Sequence, residues 1–93
     1  MIRSAKFTPE GGEEVEVEVC EFGASNVNGG PFEAHGIMTM PDDPRAATWE
    51  RGSLVFEEGV YEFSGQIVFT RYDFSQGIIR KHFVSSGEIK IVR

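Results

Sequence analysis

Cys20, His35 and His82 are the side chains of this 93-residue sequence whose types best suit metal ligation, and Cys20 is its lone thiol. A metal site needs several such ligands converging on one point. The three fall on different predicted strands with no ligand-spaced pair among them, so no metal site is expected. His35 alternates with Ala34 and Met38 and reads as a solvent-facing strand histidine. Asp42-Asp43 could offer oxygens to a hard cation, but acids at a helix start are explained by capping alone. Nucleophilic catalysis requires a Ser or Cys beside a base that a third group orients. Cys20 stands among acids with no base nearby, and Gly29-Gly30 runs into Pro31, which has no N–H to offer a phosphate. The chain is therefore expected to be non-enzymatic, without metal or cofactor.

The pattern with most information is Glu13-Glu14-Val15-Glu16-Val17-Glu18-Val19-Cys20-Glu21. Period-2 alternation puts Val15, Val17 and Val19 on one face and Glu14, Glu16 and Glu18 on the other, the signature of a half-buried strand. Glu10, Glu13 and Glu21 extend the acidic row. A solvated outer face is the plain account of such a row. A docking surface for a basic protein is the functional one. A third account is internal: the bases Arg80, Lys81 and Lys90 of the C-terminal strands would cover the row.

Arg71-Tyr72-Asp73-Phe74-Ser75-Gln76-Gly77, followed by Arg80-Lys81, in part resembles the Asp-x-Ser-x-x-Gly box of cyclic-dinucleotide-binding PilZ domains. Gly77 falls one position early, position 78 is Ile, and the upstream Arg45 and Arg51 are six apart, not at the family's Arg-x-x-x-Arg spacing. Just sixteen residues follow Gly77, too few for the barrel that follows the box in that family. The segment reads as a polar β-turn between two strands.

These residues must be positioned by strands. Beside 14–19, a second clear strand covers 60–70, with Tyr61, Phe63, Ile67 and Phe69 on one face. Gly65 interrupts that face, a mark of a bulge or a close strand crossing. Further strands are predicted at 2–7, 32–40, 53–57, 77–84 and 87–92, with Phe32, Ala34, Met38 and Met40 inward. Glu57-Glu58-Gly59 and Ser85-Ser86-Gly87 read as hairpin connections. Residues 44–51 carry the punctuation of a short helix, with Asp43 as N-cap, Pro44 at the first turn and Gly52 as the stop. Trp49 on that helix reads as a core plug, or as an interface anchor if exposed beside the loop 22–31 that holds Asn26 and Asn28. The expected fold is all-β: about seven short, mostly antiparallel strands in a sandwich or small barrel, forming a single domain over 1–93.

Charge narrows the partners. Residues 1–62 carry thirteen acids against four bases, a net of −9, and residues 63–93 two acids against five bases, a net of +3. Direct nucleic-acid binding is not expected of such a chain, because phosphate affinity comes from Lys and Arg. No stretch approaches the ~18 apolar residues of a membrane span, and residues 1–6 lack an apolar leader core, so a cytoplasmic location is expected. The expected function is a protein-binding module docking an acidic face on a basic partner, in the manner of an inhibitor or an immunity-type, for example phage-encoded, antagonist. The residues expected to carry it are Glu14, Glu16, Glu18, Glu21, Asn26, Asn28 and Trp49. The alternative is a structural or assembly component of a virion or secretion apparatus, forming homo-oligomers through its sheet.

Overall fold

Apolar and polar residues alternate along most of the chain, and the computed structural model turns that alternation into six strands over residues 3–26, 32–41, 44–58 and 61–92. They are β1 (Arg3–Pro9), β2 (Val15–Asn26), β3 (Phe32–Pro41), β4 (Arg51–Glu58), β5 (Tyr61–Ser75) and β6 (Ile78–Val92). The order β1-β2-β3-β6-β5-β4 closes on itself through β1–β4 pairing, so the sheet is a barrel, and every neighbouring pair is antiparallel. Two three-stranded meanders, β1-β2-β3 and β4-β5-β6, are thus joined along two seams, β1–β4 and β3–β6.

The expected all-β fold forms, and of the two expected arrangements, sandwich or small barrel, it is the barrel, with four local departures. The helix expected over 44–51 is a single 3-10 turn, Ala46–Thr48, and Trp49 is already extended. Strand pairing claims the rest of that segment: Glu50 accepts from the Phe69 N–H, the Arg51 carbonyl accepts from the Glu10 N–H, and Gly52 pairs with Pro9. Asp42 and the expected N-cap Asp43 lie outside the described residues. Residues 22–26, expected as loop, continue β2 and pair with 32–36 of β3. The Ser85-Ser86-Gly87 hairpin does not form. Both halves of β6 pair with β5 in one direction, and residues 86–88 bulge out between Ile67↔Ser85 and Gly65↔Ile89. Counted at this bulge, the chain makes the seven strand segments that its pattern predicts. Residues 71–75, expected as part of a polar turn, continue β5 as strand and leave Gln76-Gly77 alone, both at positive φ, as the two-residue turn joining β5 to β6.

One buried cluster fills the barrel, drawn from the inward positions of all six strands. Aromatic rings gather at its two ends. Phe7 packs on Trp49 (centroids 5.6 Å apart) and Phe69 (5.3 Å) at one end, and Phe22, Phe56 and Phe63 form a triad with centroids 4.8–5.2 Å apart at the other. So narrow an interior needs small residues opposite the large ones. Gly36 faces Phe83, and Gly52 faces Phe7.

Lys81 is the exception among the inward residues. It sits between Ile79 and Phe83 in the alternation and is only 2% exposed. Its Nζ donates to the Trp49 carbonyl at 2.7 Å and lies 4.6 Å from the Phe69 ring centroid and 5.9 Å from that of Tyr72. These contacts replace part of the lost hydration. Burial pushes its pKa below the ordinary lysine value, and the charge of Glu50 opposes that shift.

Two expectations follow for stability. A methyl at Gly36 would lie 2.6 Å from the Phe83 ring and collide with the Glu21 carbonyl. Gly36→Ala should therefore cost about 1–3 kcal/mol, read from urea unfolding midpoints. For Lys81, the folded pKa is lowered, so between that value and 10.5 the unfolded chain holds more protons and stability rises with pH. The difference in unfolding free energy between wild type and Lys81→Met should shift in favour of wild type from about pH 7 to about pH 10. A constant difference would show that the buried amine does not titrate differently on folding.

Candidate functional site

The first half of β2 builds the acidic face. Val17 and Val19 are buried, Val15 is half-buried, and Glu14, Glu16 and Glu18 point outward and are exposed. Their neighbours come from β1 and β3: Lys6 stands opposite Glu16, and Ser4 and Thr39 flank Glu18. Lys6 Nζ lies 4.0 Å from Glu14 Oε2, with both side chains well exposed. Such a surface pair contributes little and leaves the row acidic.

The bases expected to cover the row sit elsewhere. Arg80 faces Thr39 on one side and Asp73 on the other, which puts it two strands, or roughly 10 Å, from Glu18. Lys90 lies opposite Ser64 towards the far end of β6, and Lys81 points into the barrel. Ser4, Glu16, Glu18, Thr39 and Ile78 line a shallow depression of about 400 Å³ on this face. Glu10 turns away from the row towards Arg51, at 3.8 Å.

Beyond Glu18 a bulge at Cys20 bends β2, and a second bulge at Thr70 bends β5. The outer surface between them is a trough of about 660 Å³, lined among others by Cys20, Glu21, His35, Ile37, Thr70 and His82. Cys20, His35 and His82, scattered in sequence, therefore share one surface. The Cys20 thiol donates to the Ile37 carbonyl at 3.4 Å, and His82 Nε2 lies 3.6 Å from Asp73 Oδ2. The thiol is directed at a backbone oxygen and not at an imidazole. Among the described residues, no group of three or more His, Cys, Asp or Glu is placed to hold a metal ion.

The remaining expected residues do not join the glutamates. Glu21 is exposed but lies past the bulge, opposite Ile37 in the trough. Asn26 is exposed at the far end of β2, eight residues and roughly 26 Å of strand from Glu18. Asn28 lies outside the described residues. Trp49 is half-buried at the opposite end of the barrel against Phe7, the position of a core plug.

The β5–β6 hairpin tip, expected as no more than a polar turn, presents a second exposed surface. β4 accompanies β5 only as far as Arg51↔Val68, whereas β5 runs on to Ser75. Tyr72, Phe74 and Ile78 are 59%, 57% and 51% exposed there. The aromatic residues at alternate positions 72 and 74 were the available signal, but the extra residue Thr70 shifts them out of parity with Phe63, Ile67 and Phe69. No helix among the described residues is long and apolar enough to cross a membrane. Compared with protein-family models, curated proteins and solved structures, the chain matches none.

Proposed function

We propose that this protein is a non-enzymatic binding module that docks the outer face of β1-β2-β3 on a basic surface of another protein. Inhibitors and immunity-type antagonists, phage-encoded ones included, are the class to which such an action belongs. The observation that carries the reading is the exposed glutamate row: Glu16 and Glu18 have Lys6, Ser4 and Thr39 as direct neighbours, while Arg80 stands one strand further on across Thr39, Lys90 lies towards the far end of β6 and Lys81 is buried. A barrel wall fixes the backbone positions of these residues, so docking on a complementary set of Lys and Arg must order side chains but not the backbone. Long-range attraction then speeds encounter, and the depression beside Ile78 gives an apolar contact at short range.

The test uses the full chain as bait in lysate of its native cell, with capture followed by association kinetics on the protein recovered. Glu14→Gln, Glu16→Gln and Glu18→Gln combined should slow association by about tenfold at low salt and flatten its salt dependence. Equal association rates and an equal salt slope for the triple variant would remove the acidic face from the function.

A further inference from the structure

We propose that two copies of this chain associate through the free edge of β5, residues 70–75, pairing antiparallel about a two-fold axis at Tyr72. This surface lies on the opposite meander from the acidic face, so it stands or falls separately from that docking role. It gives the assembly alternative a definite interface.

The edge is open on one side. The ladder between β4 and β5 ends at Arg51↔Val68, and the Phe69 N–H donates to the Glu50 carbonyl at 2.9 Å. Past that point, among the described residues, no backbone hydrogen bond reaches residues 70–75 from the β4 side, whereas β6 pairs with them as far as Ser75↔Ile78. An unpaired edge is a template for another strand, and edges that must stay single are usually short, charged throughout or covered. This one carries exposed Tyr72 and Phe74 on the face that continues the barrel interior, opposite the buried Lys81 and Ile79.

The charges on its other face select the occupant. Arg71 and Asp73 alternate with the two aromatic residues and stand opposite His82 and Arg80. When two such edges run antiparallel with Tyr72 facing Tyr72, Arg71 of each copy faces Asp73 of the other. The two-fold generates two opposite-charge cross-strand pairs from one sequence. A slip of two residues in one direction sets Asp73 against Asp73, and a slip in the other sets Arg71 against Arg71. Like charges directly opposite are unfavourable, so the same pair of residues rewards one register and penalises its neighbours. The edge is therefore self-complementary, which a strand evolved for a foreign partner has no need to be.

Sedimentation velocity with multi-angle light scattering on the full chain tests this. Wild type should show a concentration-dependent species of twice the 10.4 kDa chain mass. Arg71→Asp, which leaves the Asp73–His82 contact in place, should weaken dimerisation by about tenfold or more, since both symmetric pairs become repulsive. Arg71→Lys should stay dimeric. Asp73→Arg alone should be monomeric, and its equimolar mixture with the Arg71→Asp protein should recover a dimer, because only the mixed pair then sets opposite charges face to face. A wild type that stays monomeric up to ~1 mM, an Arg71→Asp protein as dimeric as wild type, or a mixture of two folded variants that recovers no dimer would overturn the proposal.

Discussion

β1 is paired on both sides, to β2 through Arg3↔Val19 to Phe7↔Val15 and to β4 through Ala5↔Phe56 to Pro9↔Gly52, and this closure governs the rest of the molecule. Once a six-stranded sheet is shut, each residue faces either a narrow interior or solvent. The interior admits Phe7 and Phe83 only because Gly52 and Gly36 lie across from them. The outside receives everything of opposite parity, including the glutamates of β2. Within the first meander β2 is flanked by its sequence neighbours β1 and β3, which leaves that row beside Lys6, Ser4 and Thr39 rather than directly beside the basic strand β6.

Strands whose alternation is unbroken were legible from residues alone. Val17 and Val19, and Ala34, Met38 and Met40, point inward as their spacing requires, and the interruption at Gly65 does mark a close approach, of Ile89. The misread elements are those where a single residue shifts parity or a local preference lost to pairing. The extra residue Cys20 moves 22–26 onto a new register, so the strand looks aperiodic although its pairing continues. The capping signals around Pro44 are local, and they yielded to the ladder that draws Glu50 and Arg51 towards Phe69 and Glu10. Lys81 occupies an inward position by parity with Ile79 and Phe83, but a lysine reads as surface until its partners, Trp49 and Phe69, are known.

For the site, sequence reached the composition of the acidic face but not its boundary. It grouped Asn26 and Trp49 with the glutamates, whereas the barrel sets Asn26 and Trp49 at opposite ends, because β2 spans its length. It also separated Cys20, His35 and His82, which the β2-β3-β6 arrangement gathers along one trough. Proximity across strands depends on strand order, and strand order leaves no trace in periodicity.

The two-meander layout bears on how the chain reaches this state. Within β1-β2-β3 and within β4-β5-β6 every pairing joins consecutive strands, so most of the sheet can form from contacts local in sequence. The β1–β4 and β3–β6 seams alone need distant segments to meet, and the loop-closure entropy of the fold is concentrated there. The first meander is strongly acidic, and the C-terminal third of the chain is net basic. The second meander is balanced as a whole, five acids against five bases over residues 51–92, but its last strand β6 carries three bases against one acid. Long-range attraction between the acidic first meander and β6 therefore favours the β3–β6 seam before its contacts exist and acts as a kinetic guide for assembly.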